Sequence, residues 1–157
     1  MKILGIDPGL QLCGYGVIEW NIRRPILVDA GVIRLNAKRT IPQRLVEIEK
    51  ELDSIVAEHK PDLIAVEQLY SHYAHPRTAI LMGHARGVIL LVAARRGVAI
   101  EEFAANRIKK NLTGNGHAPK PQMQRAIQAL WSLPSPPEPP DVADALAIAL
   151  CAGRAKA

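Results

Sequence analysis

Two short apolar runs constrain this chain more than any other feature: Ile3-Leu4-Gly5-Ile6, which closes on Asp7, and Leu63-Ile64-Ala65-Val66, which closes on Glu67. Each is too short for a helix and has no polar residue to turn toward water, so each reads as a strand buried in a sheet interior. A lone carboxylate at the mouth of a core is costly, and such acids are usually paired with cations or hold a metal. If the two strands are parallel neighbours, Asp7 and Glu67 emerge side by side at one carboxyl edge of the sheet.

The remaining elements follow from periodicity and punctuation. Strands are expected at 2–7, 14–20 and 26–35, a quick succession that suggests an antiparallel meander. Ile41, Leu45, Ile48, Leu52, Ile55 and Val56 then recur at helical spacing, with a Thr40/Gln43 capping box before them and Pro61 beyond. Further strands are expected at 62–68 and 98–103, and helices at 76–96, 104–112, 122–131 and 141–152. A glycine-containing loop (114–119) joins the third and fourth helices, and a proline-rich linker (132–140) precedes the last. The order predicts one α/β domain over 1–152, a mixed sheet covered by helices on both faces, with 153–157 as a frayed tail.

Composition narrows the class. The chain has 157 residues, 48% hydrophobic and 22% charged, which suits one globular domain. Nothing reads as a signal peptide, and the longest apolar stretch, 87–94, is far short of a membrane span. Cys13 and Cys151 lack metal-ligand spacing, so a reduced, cytoplasmic protein is expected. The net charge of +5 is uneven: between Gln68 and Pro137 nine Lys or Arg face only Glu101 and Glu102. That basic stretch is either an electrostatic footprint for phosphates or a solvated surface.

A further pair of acids, Asp141 and Asp144, opens the apolar stretch 145–150, three residues apart and so on one helical face. Each acid has an ordinary alternative. Asp7 could cap the Pro8-Gly9 turn, Glu67 could pair with a cation, and Asp141 could be a plain N-cap. Taken together, four hard oxygen donors suit Mg²⁺ or Mn²⁺. Lys120, between Pro119 and Pro121, is placed in a loop and could steady charge on a scissile phosphate. Tyr70, three residues beyond Glu67, could stack on an unpaired base or be simply half-buried.

Five blocks in register then make the chain resemble the RuvC family of Holliday junction resolvases, with the RNase H-like (retroviral-integrase-like) fold. They are Gly5-Ile6-Asp7-Pro8-Gly9 with Gly14-Tyr15-Gly16-Val17, Val66-Glu67-Gln68, Gly83-His84-Ala85-Arg86-Gly87, the Gly114–Gln122 lysine loop, and Asp141-Val142-Ala143-Asp144-Ala145. The resemblance implies a five-stranded mixed sheet flanked by helices on both faces. It implies metal-binding acids at Asp7, Glu67, Asp141 and Asp144, with two Mg²⁺ per site, Mn²⁺ substituting, and a catalytic Lys120. Lys109 falls on a second phosphate-contacting position and Tyr70 on an aromatic at the junction centre. DNA contacts are expected from Tyr70, Arg77, Lys109, Lys110 and Lys120.

The implied activity is paired symmetric nicking of four-way DNA junctions in recombination and repair, leaving 5′-phosphate and 3′-hydroxyl ends. Implied partners are junction DNA, a second copy of the chain in a homodimer, and a junction-binding protein with a branch-migration motor (RuvA and RuvB). The segment 71–76 and the Gly83-His84 pair depart from the family's usual residues, which bears on how DNA is engaged. A nuclease of the same fold acting on an RNA–DNA hybrid or structured RNA, or a non-catalytic junction-binding module, are the alternatives. Four acids at the centre speak against a pure binder, which gains nothing from repelling phosphates.

Overall fold

In the computed structural model, which describes residues 1–69 and 75–157, the first apolar run becomes β1 (Lys2–Asp7), the central strand of a five-stranded sheet. β2 (Leu12–Glu19) pairs with it antiparallel and β3 (Ile26–Arg34) pairs with β2 antiparallel, completing the meander. The second apolar run becomes β4 (Leu63–Glu67), parallel to β1 on its other side, and β5 (Ala99–Phe103) is parallel to β4. The order β3-β2-β1-β4-β5 places both apolar runs in the interior of the sheet. This is the mixed RNase H-like sheet expected from the sequence, with helices on both faces.

Strand parity divides the core into two. Leu4, Ile6, Ile64 and Val66 pack beneath α1 (Ile41–His59) and α2 (Pro76–Arg96). Ile3, Ile18, Leu63 and Ala65 pack on the other face beneath α3 (Ala105–Thr113), α4 (Lys120–Trp131) and α5 (Pro140–Ala155). Because side chains alternate along a strand, Asp7 shares a face with Ile3 and Gly5, and Glu67 with Leu63 and Ala65. Both acids therefore project toward the α3–α5 layer.

That layer is set by glycine. At Gly5 an added Cβ would lie 2.7 Å from the Ala149 backbone nitrogen, at Gly14 2.7 Å from the Asp141 carbonyl carbon, and at Gly16 2.6 Å from a Leu146 methyl. Gly5 stands opposite Gly16, and Asp7 opposite Gly14. Missing side chains on two adjacent strands thus form a trench into which α5 sinks, with Ala145 and Ala149 beneath it. From Val142 to Gly153 every residue of this helix except Asp144 is buried.

Several boundaries differ from the expected ones. The α1 capping box forms as anticipated, with Gln43 N–H donating to Thr40 Oγ1 (3.4 Å) and Thr40 N–H to Gln43 Oε1 (3.0 Å). α4 begins at Lys120, two residues before the expected 122, because extended Pro119 ends the loop and Pro121 suits a first helical turn. Lys120 is therefore a helix residue and not a loop residue. α5 runs past 152 to Ala155, where fraying was anticipated. Gly153 is buried against the Trp20 ring, Arg154 bonds Asn111 Oδ1 (2.9 Å), and Lys156 pairs with Glu101. The linker before α5 is held by buried Gln124, whose amide donates to the Pro137 carbonyl (2.9 Å) and Glu138 Oε1 (2.8 Å).

α2 also differs from its expected character. With 21 residues and an 18-residue window of mean hydropathy 1.3, it meets the length and composition of a membrane-crossing helix, although the apolar stretch 87–94 alone does not. Only 22% of that window is buried. Ala85, Ile89, Val92 and Ala93 enter the core, whereas Ile80 and Leu91 are exposed.

The glycine trench leads to a direct expectation. Gly5→Ala should destabilise the protein by at least about 1–3 kcal/mol, the usual range for overpacking a filled core. Gly87→Ala, where a Cβ meets nothing within 4 Å, should be neutral or stabilising by about 0.5–1 kcal/mol through helix propensity. Urea unfolding midpoints of the two variants check the contrast.

Candidate active site

Asp7, Glu67 and Asp144 line one cleft of about 220 Å³ at the carboxyl edge of β1 and β4. β1 and β4 are hydrogen-bonded parallel neighbours with Ile6 beside Val66, so the next residues, Asp7 and Glu67, leave the sheet together. Asp144 comes down from the second turn of α5, which the glycine trench holds against β1 and β2. Asp141 lies one turn earlier, above Gly14, and lines the adjoining groove that Asp7 shares. It is not an N-cap. Pro139 holds that position and Asp141 sits in the first turn, which removes the plain capping alternative.

The acids act on one another. Burial raises the Asp7 carboxyl well above the usual carboxylate range, and Asp144, Asp141 and Glu67 push it further. Burial and then Asp144 raise Glu67. Burial also raises Asp144, with Asp141 adding to the effect. Lys120 opposes all three shifts, and Lys109 opposes those of Glu67 and Asp144. The two lysines are the cleft's counter-charge, Lys109 from α3 and Lys120 from the first turn of α4. Ala105, Ile108, Ala118 and Met123 supply an apolar wall that sequence reading did not assign to the site.

The other anticipated contacts are placed differently. Lys110 is exposed and lines a separate surface hollow with Arg107 and His117, on the far side of α3 from Lys109. Arg77 is exposed in the first turn of α2. Tyr70 and the atypical segment's residues 71–74 lie outside the described residues. Cys13, buried in the core, has its thiol pushed up to about 12, so it is no nucleophile.

Donor chemistry can be tested for a metal. Among the described residues no three carboxylate, imidazole or thiolate groups are gathered into a finished cation cage. The cleft nevertheless offers only hard oxygen ligands, on separate elements, in mutual repulsion that a divalent cation would relieve. The residues fit such an ion by charge and by ligand type.

A central β1–β4 pair ending in two acids, a third acid from a helix across the edge and two flanking lysines define a metal-assisted phosphodiester-cleaving class of site. The family described as "Crossover junction endodeoxyribonuclease RuvC" matches residues 3–152. A crossover junction endodeoxyribonuclease RuvC of Rhodopirellula baltica is 56% identical over 149 residues, covering 95% of this chain and 84% of that one. Its counterpart from Alkaliphilus oremlandii is 43% identical, covering 96% and 92%. The structure of Thermus thermophilus RuvC superposes with a TM-score of 0.87 at 29% identity, covering 99% of this chain and 96% of that one. The same protein in complex with Holliday junction substrate gives 0.88 at 26% identity, with the same coverage. The chain belongs to the RuvC family of crossover junction endodeoxyribonucleases.

The raised Asp7 carboxyl predicts a cost of function. In the unfolded chain this group ionises near 3.8 and in the fold only at higher pH. The metal-free protein therefore loses stability as pH rises from the unfolded value through the folded one. Asp7→Asn should remove that loss. Melting in the presence of a chelator should show the variant more stable at pH 7 by at least about 2–4 °C, the shift roughly 1 kcal/mol gives in a domain this size. The difference should shrink in acid.

Proposed function

We propose that this protein resolves four-way DNA junctions by metal-dependent hydrolysis of two opposed phosphodiesters. The observation that carries the proposal is the convergence of Asp7, Glu67 and Asp144 in one cleft flanked by Lys109 and Lys120, on a chain that belongs to this family. Asp7, Glu67, Asp141 and Asp144 would hold two Mg²⁺ ions, with Mn²⁺ able to substitute. Ions so bound supply an activated water and neutralise charge at the phosphate and the leaving 3′ oxygen.

The chain's own residues do the rest. Glycine-seated α5 holds Asp144 and Asp141 against the strand-end acids, so the ligands are brought together by folding and not by substrate. Lys120 stands at the mouth of the cleft on a proline-stiffened helix start and meets the scissile phosphate as its charge grows. Lys109 draws the same strand inward. Arg77 and Lys110 are exposed on either side and serve as backbone contacts, which position DNA without reading its sequence. Tyr70 follows Glu67 closely in the chain and is the aromatic for the junction centre. Nicks leave 5′-phosphate and 3′-hydroxyl ends. The setting is the cytoplasm, in company with a junction-binding protein and a branch-migration motor.

A roughly two-fold junction calls for a two-fold enzyme. α2 supplies a surface for it. Ile80 (62% exposed) and Leu91 (44% exposed) flank Gly83 and Gly87, and a Cβ at either glycine meets nothing within 4 Å in the chain itself. Spacings of three, four and seven residues put these positions on one outer face, apolar and smooth enough for close helix contact.

Two measurements test the reading. Cleavage of a four-way junction with Mg²⁺ should fall more than about a hundredfold in Asp7→Asn, beyond what an outer-shell partner carries, with junction binding retained and salt-sensitive. Equal cutting by both proteins, or faster cutting of an RNA–DNA hybrid than of the junction, would overturn it. For the dimer, Gly87→Glu should fold as the parent does, since the chain leaves room for the side chain, yet sediment as a monomer and nick one strand at a time.

A further inference from the structure

The Gly83-His84-Ala85-Arg86-Gly87 block contains one side chain to which the cleavage chemistry assigns no part. Arg86 projects from α2 with its side chain only 12% exposed and pairs through its guanidinium with Glu102 on β5. Glu102 stands beside Val66 in the parallel β4–β5 register, one residue short of Glu67. The anchor of Arg86 is thus next to the acid-bearing end of β4. Its Nε is fully buried and has no hydrogen-bond partner among the described residues.

Arg86 is also a wall of a small enclosed chamber of about 20 Å³, behind the cleft, whose other walls include Asp7, Glu67, Gln68 and Met82. A buried N–H without an acceptor costs about 1–3 kcal/mol, and more where the group is charged. A chamber of this size, with polar groups on several sides, has room for about one water. Glu102 matches the charge of Arg86. What remains for the chamber is direction, because one edge of a planar, rigid fork is held on β5 and Nε is left as the free donor.

We infer that Arg86 is a positioning residue of the cleavage site: its Nε donates, through one water seated in this chamber, to the Glu67 carboxylate and fixes that side chain at the end of β4. The inference rests on reading Glu67 as one of the acids of cleavage. It gives α2, whose outer face is the proposed dimer surface, a direct link to the acids of the same chain. A lysine would keep the charge and lose the fork, so Arg86→Lys is not conservative here.

The test uses the full chain and three variants, Arg86→Lys, Glu102→Gln and Glu67→Gln. In metal-free protein the Arg86 Nε–H should give a slowly exchanging proton–nitrogen resonance that Glu67→Gln shifts. In single-turnover junction cleavage Arg86→Lys should be about 10–100-fold slower, the usual loss for an outer-shell partner, with junction affinity unchanged. Glu102→Gln, which loosens the ion pair and lowers thermal stability but keeps the Nε–H, should retain most of the rate. An Nε–H resonance indifferent to Glu67→Gln would overturn the inference. So would an Arg86→Lys protein that cuts as the parent does, or parallel losses of rate and stability in Arg86→Lys and Glu102→Gln, which would reduce Arg86 to a tie between α2 and β5. If Arg86→Lys does not fold, the resonance decides. Should Glu67→Gln itself cut normally, the reading of the acids fails first, and the resonance still reports separately on the Arg86–Glu67 contact.

Discussion

The close approach of α5 to β1 and β2 is the contact on which the rest of the structure depends. Helices usually ride on a sheet at a distance set by the side chains between them. Here Gly5, Gly14 and Gly16 remove those side chains, and Ala145 and Ala149 meet the strands almost backbone to backbone. Any bulk in the trench lifts the helix, and with it Asp144 and Asp141. The same contact buries nearly the whole of α5, so the element that carries half of the acids is also the centre of one core. Stability and site geometry share one packing solution.

Within that solution the acids are a strain. Each of Asp7, Glu67 and Asp144 is harder to ionise than a free carboxyl because it is partly desolvated and faces the others. A fold selected for stability alone would place amides or apolar groups there. The two lysines offset part of the repulsion, from α3 and α4, elements packed on the same face as α5. The sheet thereby separates duties. One face carries acids and lysines, while the other carries α1 and α2, with an outer apolar helix surface suited to a second copy. Arg86 is the described side chain that reaches from the second layer to the wall behind the first.

How much of this was legible depended on whether the signal was local. Apolar runs too short for helices and ending in acids can be read as strands, because burial on both sides leaves no alternative use for them. The Thr40/Gln43 box marks a helix start because both partners lie within one turn. The start of α4 was misjudged by two residues because proline signals both a loop and a first helical turn. The end of α5 was misjudged because what keeps it ordered is Trp20, far away in sequence, against Gly153. Arg86 could be seen as part of a motif, but its role needs Glu102, Glu67 and a chamber between them.

By itself the sequence determined the buried β1 and β4, the identity of the four acids, the basic character of the middle of the chain and the family to which these belong. Those properties are written in residue type and short-range order, which do not depend on where the chain goes next. Only the tertiary structure decided that β1 and β4 are neighbours, that α5 sinks far enough to bring Asp144 to them, that Lys109 faces the cleft while Lys110 does not, and that Arg86 stands behind Glu67. These depend on parity, register and the distance of closest approach, which are settled when separate elements compete for the same space.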